Sequence, residues 1–250
     1  MREKVTIGVD VGSSEVVAII GHRGDDEIHP NIIGVGVQEN SGLRKGVVTD
    51  VEETVTAITA ALDKAERMAG VPIEGAYISI NGQHIQASNT KGLISIAHHE
   101  IGSDDIMRVI ESAQTVALPA NREIIHVIPR TFIVDGQDGI RDPLGMAGTR
   151  LEVDAHVITG SSPIIKNLQK TGEQSGVSIS NFVLSPLAAS KAVLSKRQKE
   201  LGVVVIDFGA GTTGMVVFDE GDICHSAILP IGSGHLTSDI AIGLRTSLDV

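Results

Sequence analysis

Apolar residues along this chain fall into short runs of two kinds, and the change between them predicts an α/β protein. Val5-Thr6-Ile7-Gly8-Val9-Asp10-Val11 is apolar and β-branched, Gly12, Ser13 and Ser14 interrupt it, and Val16-Val17-Ala18-Ile19-Ile20 resumes it. Two such runs around a short polar turn predict a β-hairpin. Asn31 to Gln38 reads as a third strand, with Gly34 and Gly36 as bulge positions. The period then changes. Asp50-Val51-Glu52-Glu53 carries the cap and the third-position acid of a helix start. Val51, Val55, Ile58, Ala61, Leu62 and Ala65 recur at helical spacing until Gly70 and Pro72 stop the helix. Ala76 to Ile80 follows as a strand closed by Asn81-Gly82.

From His84 to about Ser162 the pattern is different. Strand-like runs at Leu93 to Ala97, Ile124 to Ile128, Thr131 to Val134 and His156 to Thr159 bracket a helix near Asp104 to Val116. Asp135-Gly136 and Asp138-Gly139 are turn signals, and Ile140 to Met146 reads as loop. This predicts a compact α+β insertion, with Ser103-Asp104-Asp105 as a solvated helix start. Beyond it, Pro163 to Leu168 opens a second helix, and Val177 to Ile179 and Phe182 to Leu184 are short strand pieces. Pro186 sits in the first turn of a small-residue helix over Leu187 to Leu194.

Gly202 to Phe218 then repeats the plan of the first hairpin. Val203-Val204-Val205-Ile206-Asp207 is a strand, Phe208 to Thr213 a loop of small residues, and Met215-Val216-Val217-Phe218 a second strand. Glycines let backbone N–H groups approach an anion closely, and a carboxylate at a strand end can hold the accompanying cation through water. Gly209, Gly211 and Gly214 also spell G-x-G-x-x-G, but that fingerprint needs a helix opening at the loop, whereas Met215 to Phe218 runs into the turn Asp219 to Asp222 as a strand. Both hairpins put an Asp at the end of the first strand and hydroxyls at the tip. Two matching copies predict two related subdomains whose loops face one phosphate tail across a cleft, with Asp10 and Asp207 organising magnesium. A strand at Ser226 to Pro230, the loop Ile231-Gly232-Ser233-Gly234-His235 and a helical pattern from Leu236 to Leu244 complete the chain.

Composition narrows the function. Hydrophobic residues at 42% and charged residues at 20% fit a globular protein with an ample core. A net charge of −11 without a Lys/Arg block argues against nucleic acid, and aromatics at 2% against a base-stacking platform. The single Cys224 leaves no internal disulfide framework and fits a reducing compartment. No segment reaches the ~20 apolar residues of a spanning helix, so the chain reads as soluble and cytosolic. The nine histidines show no metal-ligand spacing, Ser233 lacks a G-x-S-x-G frame, and no G-K-[ST] is present.

The two hairpins, the β,β,β,α,β start and the middle stretches Arg122 to Pro129, Phe132 to Gln137 and Arg150 to Val153 resemble the actin, heat-shock-chaperone and sugar-kinase superfamily. Within it the chain is similar to the FtsA family of bacterial cell-division proteins along essentially its whole length. The resemblance implies an actin-like (ribonuclease-H-like) ATPase fold, with a 1A-like subdomain at 1–83 and 163–198, an inserted 1C-like subdomain at 84–162, and an incomplete 2A-like half at 199–250. It implies ATP and Mg2+ as cofactors: Asp10 and Asp207 for the metal; Ser13, Ser14, Gly209, Gly211, Thr212 and Thr213 at the phosphates; Gly232 and Gly234 in a loop facing the nucleotide. It also implies self-association into polymers, recruitment of later division proteins through the 1C-like part, and tethering of the tubulin-like FtsZ. FtsZ contact and membrane attachment are expected through parts beyond residue 250, which makes the location cytoplasmic and peripheral on the cell membrane at the division site. Without the adenosine half, ATP binding by these residues is expected to be poor. Three departures from the family pattern concern chemistry. Ala210 and Gly214 stand where Gly and Asp are common, and the methyl of Ala210 restricts positive φ. Ser185 stands where relatives carry Glu or Gln to position the attacking water, so no catalytic residue is assigned and hydrolysis is at most weak. A pilus-assembly scaffold and a small-molecule kinase of the same superfamily are the rival readings.

Overall fold

The hairpin predicted at the start of the chain is the centre of a five-stranded sheet. In the computed structural model, which describes residues 4–24, 29–98, 100–115 and 118–248, β1 (Lys4–Val11) and β2 (Glu15–Arg23) pair antiparallel, and β3 (Asn31–Glu39) adds to β2. A two-residue pair, β4 (Leu43–Arg44) and β5 (Val47–Val48), leads to α1 (Val51–Ala69). Asp50 caps α1 by accepting from the Glu53 N–H, and Gly70 ends it in a left-handed conformation, as the sequence predicts. β6 (Gly75–Ile80) then pairs parallel to β1.

Helix α1 buries Ala57, Ile58, Ala61, Leu62 and Ala65 against this sheet. Its approach explains two glycines and corrects their assignment. A Cβ at Gly36 would overlap the Ala61 carbonyl oxygen, and one at Gly34 would stand 2.5 Å from that of Ala65. These positions admit only glycine because helix backbone lies directly on β3. The irregularity in the ladder falls beside them, at Ile33, between the pairs Ile20–Gly34 and Gly21–Ile32.

The segment after β6 forms its own antiparallel sheet, in the order β7 (Gln86–Ser95), β10 (Arg150–Ser161), β8 (Arg122–Val134), β9 (Gln137–Ile140), with α2 (Ser103–Ala113) packed against β7 and β10. Ile101, Val109, Phe132, Leu151, Val153 and Ala155 make a separate core there. The strands are longer than their apolar runs predict. β7 begins at Gln86 and ends at Ser95, not Ala97. β8 is one strand through Pro129, because the ladder shifts register there and leaves Arg130 as an extra, bulged residue between the pairs Ala155–Pro129 and Asp154–Thr131. β9 runs through the predicted turn Asp138-Gly139 and ends at Ile140, where the predicted loop begins, and Val116, the predicted helix end, lies outside the described residues.

The chain returns through α3 (Ser162–Gln174) to β11 (Ser178–Leu184), which pairs parallel with β6 and completes the order β11-β6-β1-β2-β3. β11 is one strand with a shift at Ser180, rather than two pieces. α4 (Ser185–Val193) begins one residue before Pro186, which sits in its first turn as predicted. α5 (Lys196–Glu200), capped by Ser195, was not expected from the pattern. β12 (Val203–Phe208), β13 (Thr213–Asp219) and β14 (Asp222–Leu229) form a three-stranded antiparallel sheet, followed by α6 (Ser233–Leu244). α6 begins three residues before Leu236, taking Ser233 to His235 out of the predicted loop, and His235 Nδ1 accepts from the Gly232 N–H at 3.2 Å. Among the described residues no helix is long and apolar enough to cross a membrane.

Candidate functional site

Hairpin register aims the two acidic side chains. Asp10 pairs with Val17 at the end of β1, and Asp207 pairs with Gly214 near the end of β12. Each tip closes with a backbone bond: Gly12 N–H donates to the Glu15 carbonyl and Gly209 N–H to that of Thr212, both at 2.9 Å. The N–H groups of Ser13, Ser14, Ala210 and Gly211 take no part in these closures. Buried Asn40 fixes the first tip from below, donating through Nδ2 to the Gly12 carbonyl at 2.8 Å.

The two tips meet. A Cβ on Gly211 would stand 2.8 Å from Ser13 Oγ, so the loops touch across a cleft of about 150 Å³. Asp10, Ser13, Ser14, Asp207, Gly209, Gly211 and Thr212 all line it. Burial pushes the Asp207 carboxyl above its ordinary range, and the charge of Asp10 pushes it further. Two carboxylates facing one another across a small space suit a hard divalent cation, which would relieve both effects. Among the described residues no cluster of three or more His, Cys, Asp or Glu is gathered, so a magnesium ion held here would retain much of its water shell.

Three predicted residues lie outside the lining of this cleft. Thr213 Oγ1 donates to the Ile231 carbonyl at 2.7 Å and does not line the cleft. A Cβ on Gly232 would collide with the carbonyl oxygens of Gly209 and Ala210. The Ser233 and Gly234 N–H groups donate to those same carbonyls at 2.9 and 3.0 Å. This segment therefore braces the second loop from behind. Gly234 borders a neighbouring cavity of about 360 Å³ with Ser13, Lys45, Gly211 and His235.

Gly46, Asn81 and Ser185 also line the cleft, although the repeat did not single out the first two as site residues. Gly46 has a φ of 76°, and a Cβ there would stand 2.5 Å from the Asn81 carbonyl oxygen. The only local signal is a Lys-Gly turn, which does not reveal what it faces. Ser185 Oγ donates to the Ile80 carbonyl at 3.4 Å and places no carboxylate or amide in the cleft. Of the two loop departures, Ala210 is free of positive φ, so its methyl imposes no backbone strain. At Gly214 a Cβ would come 2.8 Å from Pro186 Cγ, so a side chain there would displace the start of α4.

Comparison with known proteins fixes the class. The family described as "SHS2 domain inserted in FTSA" matches residues 82–159, and "Cell division protein FtsA" matches residues 204–250. Among solved structures, the type IV pilus biogenesis complex PilM–PilN superposes with a TM-score of 0.71 at 13% identity, covering 99% of this chain and 68% of that one. The ethanolamine utilization protein EutJ of Carboxydothermus hydrogenoformans follows at 0.56 and 16%, covering 100% and 60%. The fold is that of the actin-like ATPases, with an SHS2-type insert.

Sequence relatives narrow this further. The cell division protein FtsA of Bacillus subtilis is 44% identical over 250 residues, 99% of this chain and 56% of that protein. That of Pseudomonas aeruginosa is 40% identical over 244 residues, 97% and 58% respectively. The chain belongs to the FtsA family of cell-division proteins, and it spans a little over half the length of these relatives.

Proposed function

We propose that this chain is the phosphate-binding and insert-bearing part of an actin-like division scaffold whose ligand is magnesium-ATP. The observation that carries the reading is the convergence of two separately encoded hairpin tips, with both acids and the hydroxyls of Ser13, Ser14 and Thr212, on one cleft. Its parts would be a 1A-like subdomain (1–83 and 163–198), a 1C-like insert (84–162) and a 2A-like part (199–250). Free backbone N–H groups at the tips suit phosphate oxygens, and Asp10 and Asp207 suit the metal. Ser185 offers no general base, which supports a nucleotide that acts as a conformational ligand rather than a fuel: binding one state better shifts the population toward it.

In the whole protein this nucleotide switch would serve polymer formation, the tethering of FtsZ filaments at the inner face of the cytoplasmic membrane, and recruitment of later division proteins through the insert. The FtsA relatives support this over a pilus-type scaffold, whose likeness is one of fold alone. A small-molecule kinase would need a catalytic acid beside the cleft, where Ser185 stands. The direct test is amide hydrogen exchange of the whole protein at saturating ATP, with and without magnesium. Magnesium-dependent protection of residues 11–15 and 208–213, lost in Asp207→Ala, is expected. Unchanged exchange at both loops would sink the reading.

A further inference from the structure

A second cavity system lies where the insert sheet, α4 and the β13–β14 turn meet. Two adjoining cavities, of about 390 and 280 Å³, share Lys199, Gly221 and Asp222 as a common wall. The first has an apolar floor that includes Ile128, Leu187, Phe218 and Ile223, with Lys191 and Lys199 around it. Arg130, Arg141 and Lys196 line the second. On a chain of net charge −11 this is a reversal of sign. Lys196 is paired with Glu200 at 3.8 Å. Among the described residues the acids at these cavities are Glu200, which Lys196 pairs, Asp222 and the exposed Glu220, set against Lys191, Lys199, Arg130 and Arg141.

Arg130 reaches this place because it is the bulged residue of β8, and a bulge re-aims a side chain. Its side chain lines the second cavity, and its buried Nε has no hydrogen-bond partner among the described residues, so no protein acceptor holds the guanidinium from that side. His126 adds a directed donor. Its Nε2 accepts from the Leu184 N–H at 3.0 Å, so the neutral ring carries its proton on Nδ1. Burial and the charge of Lys191 lower its pKa and hold it in that form. Lys199 Nζ lies 5.1 Å from the Phe218 ring centroid, which keeps the cation at the edge of the apolar floor.

We propose that this junction is a second ligand site, separate from the phosphate cleft, for a small organic anion. Its phosphate or carboxylate would lie among Lys191, Lys199 and Arg130, and its flat apolar body on Ile128, Leu187 and Ile223. A bare inorganic anion would leave the floor unused, and a neutral apolar ligand would leave the cations unpaired. The combined space falls within the range of small-molecule sites, roughly 300–1,000 Å³. Because three separate parts of the chain form the walls, an occupant would hold the insert against the hairpin that carries the second phosphate loop.

The experiment is a titration of the chain with phenyl phosphate, benzoate and inorganic phosphate, followed by backbone amide shifts. Phenyl phosphate is expected to give saturable shifts at Arg130 and Gly221 to Ile223, with affinity about tenfold above inorganic phosphate. Benzoate of equal affinity would mean that either anion serves, and weaker benzoate would assign a phosphate. Lys191→Ala, an exposed change that leaves the core intact, should weaken phenyl phosphate several-fold. Lys191→Ala with Lys199→Ala should weaken it by about tenfold. Neither variant should alter the shifts that inorganic phosphate causes at residues 209–213. Phenyl phosphate that moves only residues 209–213, that binds no better than inorganic phosphate, or that ignores both variants would overturn the proposal.

Discussion

The β1–β2 hairpin is built into the middle of a five-stranded sheet, whereas β12, which carries Asp207, is the edge of a three-stranded one. Val16, Ala18 and Ile20 of the first are completely buried. On β12, Val204, Ile206 and Phe208 are 49, 63 and 54% exposed. The loops are nonetheless near-copies and meet at one cleft. Loop geometry is thus a local property of the strand–turn–strand sequence, while the contribution of each hairpin to stability depends on what covers it. Val216 and Phe218 of β13 reach the main core, and the three-stranded sheet also has a polar anchor on the insert: buried His156 of β10, whose Nε2 lies 2.9 Å from Ser226 Oγ of β14 and whose Nδ1 lies 2.7 Å from Asn89 Oδ1.

The comparison breaks most readily at the buried strand. Ile20→Ala should cost roughly 2–5 kcal/mol in urea unfolding, and a loss below about 1 kcal/mol would mean that the sheet is less tightly covered than the burial of Ile20 requires. The next effect tests the anchor. Burial, helped by the charges of His225 and Arg130, lowers the His156 pKa to about 4 from an ordinary 6.5. The folded ring stays neutral while the unfolded ring takes up a proton. Stability from this group is therefore complete above pH 6.5 and is lost as pH falls toward 4, by up to about 3 kcal/mol. His84 and His126, also lowered by burial, act in the same direction. The urea midpoint of His156→Gln should fall less steeply between pH 6.5 and 4 than that of the parent, and parallel slopes would count against the anchor.

Smaller effects follow at the cleft and the edge. Asp207 is raised by burial and by Asp10, so its ionised form opposes folding at neutral pH. Asp207→Asn should raise the stability of the ligand-free chain by roughly 0.5–1 kcal/mol while removing any stabilisation by magnesium-ATP, both read by thermal unfolding. A variant that is both less stable and still stabilised by the nucleotide would contradict the metal role. Last, Ile206→Ala should stay within about 0.5 kcal/mol of the parent, at least about fourfold below the cost of Ile20→Ala on the covered hairpin.

Much of this was legible because two levels of pattern agreed. The hairpins announced themselves by β-branched runs around small-residue tips, and α1 by its cap, its spacing and its stop. The insert was harder to read. The first half of β7, Gln86 to Lys91, is mostly polar because β7 is a sheet edge, and β8 passes through Pro129 because a bulge absorbs it. At the cleft, repetition revealed the tips and the two acids. Gly46 and Asn81 are brought there by the tertiary fold, while Gly232 and Gly234 lie behind the second loop, with Gly234 also bordering the adjoining cavity, because α6 starts earlier than its apolar pattern. What a residue faces across a fold is not written in its neighbours.

Arg122 ties the two ends of the insert together. It donates through Nη2 to the His84 carbonyl at 2.9 Å and to that of Thr159 at 3.0 Å, and the Ser161 N–H donates to His84 Nδ1 at 3.2 Å. The chain therefore leaves the parent sheet and comes back to it through a neck one hydrogen bond wide. Seen from β6 and α3, the whole excursion has the footprint of a tight turn. The neck thus gives the insert a fixed seat on the parent sheet, and its far side reaches β14 through His156 and β11 through His126, so one excursion of the chain clasps both hairpin-bearing sheets.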